Sequence, residues 1–305
     1  MKSASCQKMS EDFMEYMKGR QFSRNTLKTT RITIKLFLEW VDNERMEPEQ
    51  VSYQDLLGFM KYCSQKGTTQ RTIQHYLNTV RHYYNYLEEE DRVSANPTLG
   101  IEVKGVKRQV LYHIIEPHEL HALYNQYPSE NHRDRRNKVM LGLLVYQGIR
   151  TEELSRITIK EVKLRESKID VLGSRKSNGR LMQLESHQDM YDYTLQVRPE
   201  ILQMEPKRKS QSRIETDQLF IGEGGNCYSI SNFITQLMIK VRKINPSVRN
   251  AQQIRASVIT KWVKMYNLRK AQYLAGHRYI STTESYLQND LEGLKEEINQ
   301  YHPLG

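Results

Sequence analysis

With 305 residues the chain is long enough for two ordinary domains, and 38% hydrophobic with 27% charged residues is polar but not a disordered composition. A formal net charge of +10 favours a polyanionic partner, because each Lys or Arg that neutralises a phosphate releases counterions. No apolar run reaches the ~18 residues of a membrane span, the N-terminal MKSASCQKMSEDFMEYMKGR lacks a signal-peptide core, and Cys6, Cys63 and Cys227 form neither a disulfide framework nor a metal spacing; a reducing cytoplasm is expected.

The first hundred residues read as four helices. SCQKMSEDFMEYMKGR is the first. NTLKTTRITIKLFLEWVDNE, with Leu27, Ile34, Phe37, Leu38 and Val41 near helical spacing and Asn25 expected as N-cap, is the second. SYQDLLGFMKYCSQK and TQRTIQHYLNTVRHYYNYLEEEDR complete a domain over 1–100. Tyr83, Tyr84 and Tyr86 are candidates for a base-stacking platform, but Tyr84 lies on the apolar face and is assigned to the core. A linker follows over 101–112, in ANPTLGIEVKGVKRQVLYHIIEPHEL. Its Lys104, Lys107 and Arg108 suit either a DNA backbone or plain solvation. Residues 1–107 hold 16 Lys and Arg against 14 Asp and Glu, so +8 of the net charge falls in 108–305.

The second domain, 113–305, opens with EPHELHALYNQY. His118 and His121 have a metal-compatible spacing but no third ligand nearby, and are read as a surface pair. RRNKVMLGLLVYQGIRTEELSRI is a buried-looking helix broken at Gly148. KEVKLRESKIDVLGSRKSNGRLMQLES turns strand-like, with turns at Glu166-Ser167 and Ser177-Asn178-Gly179, and predicts three antiparallel strands. From Asp189 onward the pattern is mainly helical, ending in a tail helix within 287–305.

Four features carry chemistry. Arg150, just after the helix-breaking Gly148, can hold two phosphate oxygens in its planar fork, or simply pair with Glu153. The hairpin tip GSRKSNGR offers Arg175 and Lys176, and a lysine there can protonate a leaving oxygen. Arg255 sits beside Ile254, Val258 and Ile259, where a basic side chain often snorkels outward. LAGHRYISTTESY sets His277 nine residues before Tyr286, with Ser-Thr-Thr between.

In this order and spacing the chain resembles the tyrosine recombinases, or phage-integrase-like recombinases, over nearly its whole length. The positions that carry the resemblance are Arg150 in GIRTEEL, Lys176 in RKSNGR (with Lys168 as a nearby alternative), Arg255 in QQIR, Gly276-His277, and Tyr286. TLKTTRITIKLFLEW and ANPTLGI look like that family's core-binding domain and its exit. The chain departs from the pattern at Gln252, where the family's His-x-x-Arg has histidine, and at Ala256. Glutamine donates a hydrogen bond but shuttles no proton near neutral pH.

The resemblance implies a mainly α fold with a small antiparallel β-sheet: an N-terminal four-helix core-binding domain, then an α+β catalytic domain. It implies DNA strand exchange with Tyr286 as nucleophile, Arg150 and Arg255 on the non-bridging phosphate oxygens, His277 and Gln252 as further donors, and Lys176 as the acid for the departing 5′ oxygen. The phosphotyrosyl link would conserve the energy of the broken bond, so no cofactor or metal is expected. The implied partners are double-stranded DNA, further copies of the chain forming a tetramer on two DNA sites, and an accessory DNA-bending protein, on a prokaryotic nucleoid. An integrase or transposase of a mobile element is the leading expectation, with no extra arm-binding domain. Xer-like resolution of chromosome dimers, a non-cutting DNA-binding protein on the same scaffold, and a type IB topoisomerase are the alternatives.

Overall fold

The computed structural model describes residues 2–106, 113–175, 177–206, 213–226 and 230–287. Two compact units divide the chain, residues 1–110 and 111–305.

The first unit is built on helices α1 (Lys2–Gly19), α2 (Arg24–Asn43), α3 (Tyr53–Gln65) and α4 (Gln70–Glu89). The amphipathic period of α2 places Ile34, Phe37, Leu38 and Val41 inside, against Phe59 of α3 and Tyr83 and Tyr84 of α4. Phe37 meets Phe59 edge-on with ring centroids 5.2 Å apart, and Phe13 of α1 meets Tyr83 in the same way at 5.3 Å. Tyr83, Tyr84 and Tyr86 are all buried, and Tyr84 spends its hydroxyl on the Pro48 carbonyl at 2.8 Å, so they are core residues and not a stacking platform. Three helix starts are capped by hydroxyls: Ser23 on α2, Ser52 with Asp55 in a reciprocal capping box on α3, and Thr69 on α4. The cap of α2 is therefore Ser23, two residues before the expected Asn25; its Oγ accepts from Thr26 N at 3.1 Å.

The exit from this unit is pinned. Asn96 donates to the Arg81 carbonyl and accepts from Thr98 N at 2.9 Å and Thr98 Oγ1 at 2.7 Å, while Arg81 Nη2 reaches the Ile101 carbonyl at 3.1 Å. Ile101 and Val103 pack on the helical core. Lys104 is exposed beside a left-handed Gly105. Lys107 and Arg108 lie outside the described residues.

The second unit wraps α5 (Pro117–Asn125), α10 (Ile230–Ile244) and α12 (Leu268–Ala275) around two helices buried on nearly all sides, α6 (His132–Val145) and α11 (Ala251–Met265). Along α6 even Asp134, Arg136 and Asn137 are buried. Arg136 covers the Phe233 ring at 3.6 Å and donates to the Ile221 carbonyl at 2.9 Å. The short helix α7 (Thr151–Leu154) restarts after the Gly148 break. Strands β1 (Val162–Lys163), β2 (Lys168–Val171) and β3 (Arg180–Gln183) form an antiparallel sheet in sequence order, with Ile169 opposite Met182 and Val171 opposite Arg180. Ser167, at φ +52°, makes the first turn. The helices α8 (His187–Asp192) and α9 (Arg198–Gln203), joined by a wide turn, and the short α13 (Ile280–Glu284) complete the unit. The tail helix expected within 287–305 lies, beyond Leu287, outside the described residues. No described helix is long and apolar enough to cross a membrane.

Two isoleucines on α2 separate burial from composition, since Ile34 is 0% and Ile32 63% exposed. In urea unfolding followed by circular dichroism, Ile34→Ala is expected to cost about 2–5 kcal/mol, and Ile32→Ala no more than about 0.5 kcal/mol.

Candidate active site

The site is organised by Arg255. It lies on α11 with 4% exposure, so it does not snorkel; its guanidinium is clasped by main chain. Nη1 donates to the Gly148 carbonyl and Nη2 to the Ala275 carbonyl at 2.6 Å. Both acceptors belong to helix ends closed by left-handed glycines. Gly148, at φ +52°, ends α6 where an added Cβ would lie 3.2 Å from Val258 Cγ1 of α11. Gly276, at φ +62°, ends α12 in a Schellman motif, with His277 N bonded to the Gln272 carbonyl at 3.1 Å and Gly276 N to the Tyr273 carbonyl at 2.9 Å. The two glycines thus fix the cradle that holds the buried arginine.

Burial, then the charges of Arg150 and Arg180, push Arg255 down to about 10, and it remains a cation at neutral pH. Among the described residues the one carboxylate acting on it is Glu153, already engaged elsewhere. Arg180 Nη1 and Nη2 grip Glu153 Oε1 and Oε2 at 2.9 and 2.8 Å in a pair with side chains 0% and 1% exposed. Burial raises the Glu153 carboxyl, but the hydrogen bond and charge of Arg180 outweigh it and hold the group below its ordinary value. Glu153 also accepts from the Arg150 backbone N–H at 2.9 Å, fixing the start of α7. The side chain paired with Glu153 is therefore that of Arg180, and the alternative Arg150–Glu153 side-chain pair does not form. The Arg150 side chain, half-buried, turns to the cleft.

His277 follows Gly276 and is 2% exposed. Its Nε2 is 3.4 Å from Arg255 Nη2 and its Nδ1 is 2.9 Å from Thr283 Oγ1. Burial first, then Arg255 and Arg150, depress it to about 3, so the ring is neutral. It stacks on the Tyr286 ring with centroids 5.8 Å and planes 17° apart. Tyr286 is half-buried, two residues after α13, with its N–H on the Thr283 carbonyl at 3.1 Å.

The β2–β3 hairpin is tied to this segment. Ser174 and Ser177 close the tip, Asn178 N donates to the Gly276 carbonyl at 3.2 Å, Asn178 Nδ2 to the His277 carbonyl at 3.3 Å, and Arg278 Nη1 to the Arg175 carbonyl at 3.1 Å. Arg175 is exposed at the tip. Lys176, beside it, lies outside the described residues. Lys168 sits at the far end of β2 from the tip, 3.4 Å from Glu166.

Arg150, Gln252, Arg255, His277 and Tyr286 line one open cleft of about 590 Å³. Gln252 is exposed at its rim, one helical turn before Arg255 and on the same face. Arg242 and Arg249, which the sequence reading did not single out, line the same cleft. An adjoining hollow of about 270 Å³ adds Arg175, Arg278 and Tyr279. Such a surface, cationic with neutral donors at its centre, suits the oxygens of a phosphodiester. Arg180 was also missed, and Glu153 was read only as a possible partner of Arg150. Part of the signal was available: alternation along RLMQ puts Arg180 on the same inward face as Met182, and a buried arginine needs a carboxylate or several other acceptors. Among the described residues no group of three or more His, Cys, Asp or Glu is arranged to hold a metal ion.

Residues 113–292 match the family model described as the phage integrase family, and residues 11–91 match that of the phage integrase N-terminal SAM-like domain. The chain belongs to the phage integrase family. Members of this family, the tyrosine recombinases, cleave and rejoin DNA. The tyrosine recombinase XerC of Staphylococcus carnosus (strain TM300) is 25% identical, covering 97% of each chain. XerD of Listeria innocua serovar 6a is 24% identical over 96% of this chain and 98% of its own. A lambda integrase fragment (75–356), solved as a dimer on a COC′ core site, shares the fold with TM-score 0.67 at 12% identity, covering 93% of this chain and 95% of that one. A Tn1549 transposon integrase fragment (82–397), solved with transposon right end DNA, gives 0.65 at 14% identity, covering 94% and 98%. The mainly helical architecture with one small antiparallel sheet, a SAM-like N-terminal domain and a catalytic domain is that of tyrosine recombinases.

Two stability measurements follow from the buried charges. Arg180→Met would strand Glu153 and is expected to cost about 3–5 kcal/mol at pH 7; because the Glu153 carboxyl is depressed, the pair's contribution is complete at pH 7 and lost only as pH falls below about 4.3. His277 has the opposite charge logic. The unfolded chain binds a proton there below about pH 6.5 and the folded protein does not until about 3, so stability falls with falling pH by up to about 1.4 kcal/mol per unit. Thermal melts from about pH 6.5 down to about 5 are expected to show a shallower slope for His277→Gln than for the wild type.

Proposed function

We propose that the chain is a site-specific recombinase that cuts and rejoins duplex DNA through a 3′-phosphotyrosyl link to Tyr286, in the service of a mobile element. The observation that carries this reading is the convergence of Arg150, Arg255, His277 and Tyr286 on one cleft around a buried, surplus positive charge. The scissile phosphodiester supplies the missing anion. Arg150 and Arg255 hold its two non-bridging oxygens, and His277 and Gln252 donate further hydrogen bonds as charge develops there. The Tyr286 oxygen attacks phosphorus and its proton passes to water. The bond from phosphorus to the 5′ oxygen breaks, and Lys176 protonates that oxygen. The 5′ hydroxyl of a partner strand then attacks the phosphotyrosine, rejoining the DNA and freeing Tyr286. The link retains the energy of the broken bond, and the chemistry calls for neither ATP nor a metal ion.

DNA affinity is assigned to exposed cations beside the cleft and outside it, Arg175 and Lys104, together with Lys107 and Arg108. Strand exchange needs two DNA sites and therefore several copies of the chain, for which a tetramer is proposed. An accessory DNA-bending protein is part of the same proposal, as is action at the nucleoid of a prokaryotic cytoplasm. The mobile-element role rests on Gln252, which departs from the Xer-like His-x-x-Arg. A second reading, resolution of chromosome dimers, is favoured by the end-to-end match to XerC and XerD sequences.

Covalent trapping tests the chemistry. On duplex DNA from the flanks of the gene's own locus, nicked so that the 5′ hydroxyl diffuses away, the wild type is expected to give a protein–DNA adduct on a denaturing gel and Tyr286→Phe none. An adduct that survives Tyr286→Phe would assign another nucleophile, and DNA binding without any adduct would leave a non-cutting DNA-binding protein. Chromosome dimers accumulating in a strain lacking the gene would select the second biological role.

A further inference from the structure

The Ser281-Thr282-Thr283 run between His277 and Tyr286 has no part in the mechanism above. Its members are not equivalent: Ser281 and Thr282 are exposed, whereas Thr283 is 0% exposed. The buried hydroxyl lies 2.9 Å from His277 Nδ1. The other ring nitrogen, Nε2, faces Arg255 Nη2 at 3.4 Å. A guanidinium has donors only, so Nε2 presents its lone pair there. A neutral imidazole carries one proton, which is then on Nδ1 and is donated to Thr283 Oγ1. This arrangement suits the free protein and not the complex, because a phosphate oxygen is an acceptor and requires the proton on Nε2.

We propose that Thr283 is the positioning residue that lets His277 exchange tautomers when the scissile phosphate enters the cleft. In the free protein the hydroxyl accepts from Nδ1–H. In the complex it rotates and donates to the bare Nδ1, while Nε2–H donates to a phosphate oxygen. One proton leaves Nδ1 and one is taken up at Nε2, both exchanged with water, so the ring stays neutral and no other bond changes. A carboxylate or carbonyl in place of Thr283 accepts only, and would lock the first tautomer or force a charged ring. The hydroxyl's two-way capacity, held dry against the turn that carries Tyr286, is what the segment supplies. The phosphate half of this inference rests on the recombinase reading; the tautomer of the free protein does not.

The full-length chain labelled with ¹⁵N-histidine tests both halves. Long-range ¹H–¹⁵N spectra at neutral pH are expected to show His277, identified by the signal missing from His277→Gln, as the Nδ1–H tautomer. With the nicked duplex bound to Tyr286→Phe, it is expected as neutral Nε2–H. Thr283→Val is expected to slow adduct formation by the wild-type nucleophile roughly 10–100-fold with DNA affinity unchanged, and Thr283→Ser to restore most of the rate. An Nε2–H or charged ring in the free protein, or a charged ring in the complex, overturns the proposal. So does Thr283→Val reacting as fast as the wild type, or Thr283→Ser reacting as slowly as Thr283→Val. Failure of the wild type to form any adduct overturns the recombinase reading and the phosphate half with it, while the free-protein spectrum still decides the hydroxyl's role.

Discussion

The structure of the second unit depends on keeping one cation, Arg255, buried without a carboxylate of its own. A charge taken out of water is costly unless it is paired or richly hydrogen-bonded. Here the compensation comes from two backbone carbonyls, of Gly148 and Ala275, and from a distant share of Glu153. Arg150 and Arg180 add two further cations close by, while Glu153 is committed to Arg180. The balance is left positive inside a cleft, so an entering phosphate meets dipoles and charges that are already aimed and need no reorganisation. Burial first, and then the same surplus, keep His277 neutral, and a neutral imidazole adds a donor without adding to the crowding of charge.

The fold is arranged to meet that requirement. Two helices that end in left-handed glycines bring their terminal carbonyls to one point, and α11 threads between them with Arg255 facing inward. The hairpin is fastened to the Gly276–Arg278 segment through Asn178, Ser177 and Arg278. Displacement of the hairpin would pull on the residues that hold His277. Glu153 joins the parts, accepting from the Arg150 backbone on one side and from Arg180 of β3 on the other. One buried ion pair therefore sets the relation between the sheet and the start of α7. Breaking such a pair is expensive, because it leaves a buried charge uncompensated.

Much of this was legible from patterns whose period the chain states openly. The periodicity of α2 and α4, the turns at Ser167 and Asn178-Gly179, and the break at Gly148 follow from local sterics and amphipathicity, which short windows contain. What was missed needs two windows at once. Ser23 out-competes Asn25 as the α2 cap because the helix starts one residue before Asn25, at Arg24. Arg255 looks like an outward-reaching base until the carbonyls of Gly148 and Ala275, 107 and 20 residues away in sequence, are brought to it. Arg180 and Glu153 each resemble a surface charge when read alone; the inward face of β3 shows that Arg180 needs acceptors, and only the fold supplies Glu153 as that partner.

Burial also explains where the chain departs from the family's pattern. Arg255 and Gln252 are one helical turn apart, but Arg255 is enclosed and Gln252 stands exposed at the cleft rim. Nothing in the carbonyl cradle, the Glu153–Arg180 pair or the His277–Thr283 contact passes through position 252. Replacing histidine by glutamine there removes a titratable group and leaves a hydrogen-bond donor, so the preorganised charge is undisturbed while the capacity to move a proton from that position is lost. A lysine in place of Arg255 would be a different matter: a point charge without the planar fork cannot serve the Gly148 and Ala275 carbonyls and a phosphate together. Under the proposed mechanism, variation is tolerable at the rim because the centre of the site is held by main chain.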